Sequence, residues 1–170
     1  MQLIKPNKKY LHSYIEAIEE YRSNKVGTYN FLDVDSYDIF EYIENCEKGI
    51  NLPVGWVPAS YFWMVEGDFF LGEVSIRHQL TEDLLKFGGN IGYGIRYSKW
   101  NHGIGTEMLR QALRYAKEYL HLNKVLITCN DDNYASYHVI EKNGGILQDK
   151  IHNIIDGEKR ISRRYWILIE

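Results

Sequence analysis

The stretch Asn90–Leu109, NIGYGIRYSKWNHGIGTEML, decides how this chain is read. In NIGYGIR, Gly92 and Gly94 alternate with Ile91, Tyr93 and Ile95, the period of a strand, and the strand-like stretch covers residues 88–97. The loop WNHGIG then carries Gly103 and Gly105 straight into a helical pattern. Met108, Leu109, Ala112, Leu113, Ala116 and Leu120 form an apolar stripe, opposite Arg110, Arg114, Lys117 and Glu118. The first N–H groups of a helix have no intrahelical partners, and the helix dipole adds partial positive charge there. Glycines at 103 and 105 let several of these N–H groups converge into an anion nest suited to phosphate, with the Thr106 hydroxyl beside it. The same two glycines also suit a sharp strand-to-helix turn with no ligand, because short glycine patterns are weak signals. Two familiar nucleotide loops fail here. The dinucleotide fingerprint needs a glycine where Met108 stands, and no Gly-Lys-Ser/Thr ends the turn.

Outward from this unit, the first third reads as two helices. LHSYIEAIEEYRS places Leu11, Tyr14, Ile15, Ile18 and Tyr21 near one face. DSYDIFEYIENCEKG does the same with Ile39, Tyr42, Ile43 and Cys46, with Asp35 or Ser36 as its cap and Gly49 as its stop. After LPVGWVPAS the period changes to two, and YFWMV, EGD and FFLGEVSIRH read as a hairpin. Beyond the glycine loop, KVLITCN is a buried strand and DNYASYHVIEKNGG a short helix stopped by Gly144. Two closing strands, ILQDKIHN and RRYWILIE, meet through the turn DGEK. This order predicts an α/β (α+β) fold, a mixed sheet with helices on both faces. No linker or repeat divides residues 1–170, so a single domain is expected.

Composition narrows the function. The 20 basic and 23 acidic side chains leave a net charge of −3, which argues against a general nucleic-acid binder. The only cysteines, Cys46 and Cys129, form no CxxC and share no zinc spacing with histidine, so no metal site is expected. Cys129 ends an apolar run and reads as a small buried hydrophobe. Neither a signal peptide nor a membrane span is legible, and the expectation is a cytoplasmic protein with no membrane partner.

The loop and the two elements after it resemble the GNAT (Gcn5-related) N-acetyltransferase superfamily, in an uncharacterised bacterial-type subgroup. The resemblance covers roughly residues 60–170. It rests on IGYGIR, WNHGIG and TEMLRQAL, then on KVLITCN and DNYASYHVIEKNGG, which is similar to the family pattern Asn-x-x-Ala/Ser-x-x-x-x-x-Lys-x-Gly. The family loop is Gln/Arg-x-x-Gly-x-Gly/Ala and binds the pyrophosphate of acetyl-CoA. The resemblance implies a GNAT fold with a central sheet of about six to seven strands, splayed into a V between strands 90–96 and 124–130. It implies acetyl-CoA as co-substrate and an amine as acceptor, in a monomer or homodimer. Trp100, Asn101, His102, Gly103, Ile104, Gly105 and Thr106 are implied at the phosphates, with Ile95, Arg96, Asn130, Asn133, Ser136 and Lys142 completing the cofactor-binding set. Backbone groups at Ile95 and Arg96 would face the pantetheine arm, and an N–H at Ile95 or a neighbour would stabilise the oxyanion.

Two positions depart from the pattern. Trp100 stands where Gln or Arg is usual, leaving Lys99, Asn101 or His102 to compensate. Ile140 stands where many members carry a tyrosine that protonates the departing thiolate, which points to Ser136 as the acid, with Tyr134 and Tyr137 as neighbours. Removing the amine proton needs a base or a water chain. Glu73 and His78 are the candidates on GEVSIRH, on opposite faces, with His78 favoured because histidine suits neutral pH and each also readable as an ordinary strand residue. Tyr93 lines the acceptor side, and His12, His121, His138 and His152 read as surface residues. The family builds its acceptor pocket from VGTYNFLDVD, GWVPAS and the region around KRISRRYW, with Tyr29 and Trp56 as an aromatic wall. Asp33, Asp35 or Glu44 would attract a cationic amine. The expected activity is acetyl transfer to a small amine, a protein N-terminus or a lysine; the alternative is a non-catalytic acyl-CoA binder or sensor.

Overall fold

The alternating runs in the middle of the chain become strands, and the stripes on either side become helices that cover them. The computed structural model describes residues 1–26, 31–155 and 157–169. Among these residues, seven strands form two antiparallel sheets. The first, in spatial order β1-β2-β3-β4, uses Gln2–Ile4, Ala59–Glu66, Phe69–Arg77 and Ile91–Ile95. The second, in order β5-β7-β6, uses Lys124–Asn130 (β5), Ile146–Ile155 (β6) and Glu158–Leu168 (β7). The helices are α1 Leu11–Ser23, α2 Ile39–Lys48, α3 Glu82–Lys86, α4 Ile104–Glu118 and α5 Tyr134–Lys142.

The two sheets touch where Asn90 enters β4. Its N–H donates to the Leu126 carbonyl at 2.7 Å and its Oδ1 accepts from the Leu126 N–H at 2.8 Å. Among the described residues, no ladder joins β4 to β5 beyond that point, and the strands part into the expected V. Gly89 permits the junction: at φ +60°, a Cβ there would lie 2.3 Å from the Leu126 carbonyl oxygen.

Each face of the first sheet has its own core. Met108, Leu109, Ala112, Leu113 and Ala116 of α4 are buried against Phe62, Met64, Val74, Ile76 and Ile91. On the opposite face, Tyr14, Ile18 and Tyr21 of α1 and Ile39 and Ile43 of α2 close over Trp63 and Phe70. Tyr14 stacks on Trp63 with ring centroids 4.6 Å apart. Ile15 lies off this face and is exposed, its place in the stripe being taken by Ala17. Asp38, rather than Asp35 or Ser36, caps α2, its Oδ1 accepting from the Phe40 N–H at 2.9 Å, while Gly49 stops the helix at φ +70°. Asp33 holds the Asp35 N–H in a local turn instead, so the helix starts later than the composition suggests. Cys46 and Cys129 are both free and buried. Among the described residues, no helix is long and apolar enough to cross a membrane.

Candidate active site

Strand alternation determines which backbone groups face the splay. The Arg96 N–H donates to the Leu71 carbonyl at 2.8 Å and the Arg77 N–H to the Asn90 carbonyl at 2.7 Å. In an antiparallel pair the bonded residues alternate. The main-chain groups of Ile91, Tyr93 and Ile95 therefore turn away from β3, into the V. The Ile95 carbonyl is occupied by the Trp100 indole N–H at 2.9 Å and by the Tyr21 hydroxyl; its N–H faces the opening.

The glycine loop closes one end of this opening. Asn101 and Gly103 sit in the left-handed region at φ +62° and +75°. Gly103 is the N-cap of α4 and no side chain caps it. The first helical bond runs from the Glu107 N–H to the Gly103 carbonyl, so the N–H groups of Ile104, Gly105 and Thr106 have no intrahelical partner. Gly105 has a packing role: a Cβ there would lie 3.2 Å from Val139, so glycine lets α4 close onto α5. A cleft of about 790 Å³ opens over these groups, between the ends of β4, α4 and α5.

Of the residues expected to bind the donor, Ile95, Trp100, Asn101, Gly103, Ile104, Gly105, Thr106, Asn133, Ser136 and Lys142 line this cleft. The other three do not. His102 is exposed, and its Nδ1 donates to the Trp100 carbonyl at 2.6 Å. Asn130 ends β5 in register with Ser162. Arg96 is buried, with its N–H committed to Leu71 and its guanidinium to α1, reaching Glu20 at 2.7 Å, Ser13 Oγ at 2.9 Å and Glu16 at 3.2 Å. Arg96 thereby ties α1 to the end of β4.

Asn133 caps α5, its Oδ1 accepting from the Ser136 N–H at 3.1 Å. That turns Ser136 toward β4, where its Oγ lies 3.0 Å from the Tyr93 hydroxyl. Burial pushes the Tyr93 phenol up, and pushes the nearby Cys129 thiol up to about 11. Ile140, in the place of the family tyrosine, is fully buried in the α4-side core. Tyr137 stacks with His138 and carries the Arg163 guanidinium over its ring at 4.0 Å.

The two candidate bases separate. His78 lies at the far end of β3, its Nε2 2.9 Å from Ser60 Oγ, and burial lowers its pKa. Glu73 pairs across the sheet with Gly94, a lining residue of the cleft, but its side chain is on the α1 face and 1% exposed. Its Oε2 accepts from the Trp63 indole at 2.7 Å and its Oε1 has no partner among the described residues. Burial pushes this carboxyl up to about 8, against the pull of the hydrogen bond from Trp63.

The expected acceptor acids are engaged elsewhere. Asp35 pairs with Arg22 at 3.0 Å, Glu44 pairs with Lys48, and Asp33 holds the Asp35 N–H. Trp56 is exposed on its loop, and Tyr29 lies outside the described residues. Tyr134, named from the sequence beside Ser136, lines the cleft, and so do Tyr21, Gly94 and His138, which no pattern in the sequence assigns to it. Tyr21 reads only as one more apolar position on α1, because its partner Ile95 is 74 residues away. His138 sits on an exposed helix face with no motif to mark it.

The family model of the acetyltransferase (GNAT) domain matches residues 9–146. No curated protein matches the sequence. Among solved structures, the microcin C7 self-immunity acetyltransferase, in complex with acetyl-CoA and AMP, is similar at a TM-score of 0.74 and 18% identity, over 98% of this chain and 91% of that one. The ribosomal-protein-S5-alanine acetyltransferase from Vibrio fischeri is similar at 0.71 and 13%, over 99% and 92%. A point mutant of spermidine N-acetyltransferase from Vibrio cholerae is similar at 0.67 and 16%, over 99% and 95%. At these identities the likeness is one of fold.

Proposed function

The chain belongs to the GNAT acetyltransferase family, and on that premise we propose that it moves an acetyl group from acetyl-CoA to a primary amine, by direct attack with both substrates bound. The observation that carries this reading is the uncapped start of α4 at the mouth of the β4–β5 splay. When bound there, acetyl-CoA supplies a thioester-activated acyl group. The N–H groups of Ile104, Gly105 and Thr106 hold its phosphates, and the exposed Lys99 and Lys142 add positive charge at the rim. The Ile95 N–H faces the opening and is placed to receive a carbonyl oxygen as negative charge develops on it. The Tyr93 and Ser136 hydroxyls, 3.0 Å apart, hold the proton that a departing thiolate needs. Glu73, directly opposite Gly94 on the neighbouring strand, is the base we assign, and because its carboxyl is sealed under α1 the amine proton reaches it through a water chain. The whole chain acts as one domain, and its two buried free thiols suit the reducing cytosol.

Titration of the full chain with acetyl-CoA, with ATP and NAD as controls, tests the reading. Micromolar binding of acetyl-CoA alone supports it, and thiol release on adding amines completes it. No binding refutes it. Binding without release under any amine favours the non-catalytic acyl-CoA binder, to which Ile140 and Trp100 lend weight.

A further inference from the structure

The sheet face turned away from α4 carries a second, partly open surface. Pairing sets Ala59, Tyr61 and Trp63 of β2 opposite Arg77, Ser75 and Glu73 of β3, and sets Ser75 and Glu73 opposite Gly92 and Gly94 of β4. Residues directly opposite share a face. The aromatic cluster seals the Trp63–Glu73 end, while Tyr61, Ser75, Arg77, Gly92 and Gly94 stay half-exposed. The result is a trough whose floor at β4 is bare backbone. Gly92 has no positive φ, and a Cβ there would meet nothing nearer than Ser75 Oγ at 3.5 Å. Neither conformation nor packing calls for glycine, yet glycine inside a strand costs stability and often marks the close approach of a ligand.

Arg77 stands beside this floor. Its Nη1 donates to the Gly88 and Gly89 carbonyls at 3.1 and 3.2 Å. Burial lowers its pKa, and among the described residues the charged or titratable groups acting on it are the Tyr61 and Tyr42 phenols. Among the described residues, every other buried or half-buried arginine has a carboxylate: Arg96 on Glu16 and Glu20, Arg160 on Glu158, Arg163 on Asp131 and Arg164 on Asp149. A desolvated guanidinium without an acid is costly unless something pairs with it.

We propose that this trough receives the acyl acceptor and that Arg77 binds a carboxylate on it, so that the acceptor is an amine of amino-acid type; the inference rests on the acetyltransferase reading above. Gly94 belongs to both the trough and the acetyl-CoA cleft. Gly92, beside Arg77, is two residues from Gly94, roughly 7 Å along the strand. An amine at Gly94 and a carboxylate at Arg77 are thus separated by only a few bonds. In the transfer a C–N bond forms, the thioester C–S bond breaks, the amine loses one proton and the thiolate gains one.

The test offers free L-amino acids, each paired with its own carboxamide, to the full chain with acetyl-CoA, while acetyl-CoA binding is titrated separately. Hydrogen bonds to charged groups predict a kcat/KM about 10- to 100-fold higher for the acids. Arg77→Gln brings the acids down to the level of their amides. Because Arg77 also holds the Gly88–Gly89 turn, Gly92→Ala serves as the second variant: it raises KM for the acids without lowering Tm or acetyl-CoA affinity. Equal use of acids and amides, no acetylation of any acid, or an unchanged KM in Gly92→Ala, each with acetyl-CoA bound, overturns the carboxylate inference and leaves the acetyl-CoA site standing. Failure of acetyl-CoA itself to bind removes both.

Discussion

Glu73→Gln is expected to leave stability unchanged at pH 5 and to raise it strongly at pH 9. The Glu73 carboxyl is sealed under α1, with one oxygen on the Trp63 indole and the other without a partner among the described residues. Burial moves its pKa from 4.5 to about 8. A carboxyl whose folded pKa lies above its unfolded value contributes most to stability in the neutral form, below the unfolded pKa. That contribution is lost as pH rises from 4.5 to about 8, because only the unfolded state ionises across that window. At 1.36 kcal/mol per pH unit, the wild type loses about 4 kcal/mol through this one group between pH 5 and pH 9.

Glutamine keeps an acceptor for the Trp63 indole and does not titrate. Urea unfolding of both proteins at pH 5, 7 and 9 should therefore show a stability difference growing from near zero to about 4 kcal/mol in favour of the variant. Parallel pH curves would refute the reasoning, because they would mean that Glu73 ionises inside the fold as easily as in water. The same pair of proteins tests the catalytic assignment. If Glu73 takes the amine proton, wild-type turnover rises toward about pH 8 and Glu73→Gln loses that limb. A stable variant that keeps it excludes Glu73 as the base.

Trp100→Phe removes the indole N–H from the Ile95 carbonyl and should lower stability by about 1 kcal/mol. Acetyl-CoA affinity, read by titration, should stay within about threefold if backbone N–H groups hold the anion as proposed; a tenfold loss would place the indole on the donor. Gly89→Ala sets a Cβ 2.3 Å from the Leu126 carbonyl at a positive φ, and should destabilise by about 3 kcal/mol or more in urea unfolding. Gly92→Ala, with no contact inside 3.5 Å, is the control that should not destabilise. Ser136→Ala should lower kcat about 100-fold with acetyl-CoA binding intact. Unchanged turnover would remove Ser136 from the mechanism.

The parts legible in the sequence are those set by local periodicity. The α4 stripe, the β2–β3 hairpin and the Gly49 stop each repeat or end within a few residues, and each stands where the pattern puts it. Gln2–Ile4 and Glu82–Lys86 are too short to show a period, and neither is legible. Side-chain destinations are harder to read than elements. Arg96 comes straight after the strand and looks like part of the loop, but its guanidinium reaches Ser13, Glu16 and Glu20, about 80 residues earlier. Glu73 and His78 sit five residues apart, and the sequence favours His78 as the base because imidazole titrates near neutral pH. Which of them stands beside the cleft depends on the register with β4, and that pairs Glu73 with Gly94.

Register also explains why Trp100 need not disable the donor site. On the proposed reading, the groups that would meet the phosphates and the acyl oxygen are main-chain N–H groups, positioned by helix start and strand alternation. A side chain at 100 can change without moving them, and the indole reinforces the arrangement by anchoring the Ile95 carbonyl, which leaves the N–H of the same residue facing the cleft. The acceptor side obeys the opposite logic. If the trough receives the acceptor as proposed, its floor is defined by the side chains that Gly92 and Gly94 lack and its charge by Arg77, so single substitutions there would redirect the choice of amine. On the proposed reading, a donor site held by backbone would tolerate wide sequence change while an acceptor site set by side chains would not, so the two halves of the reaction are open to variation independently.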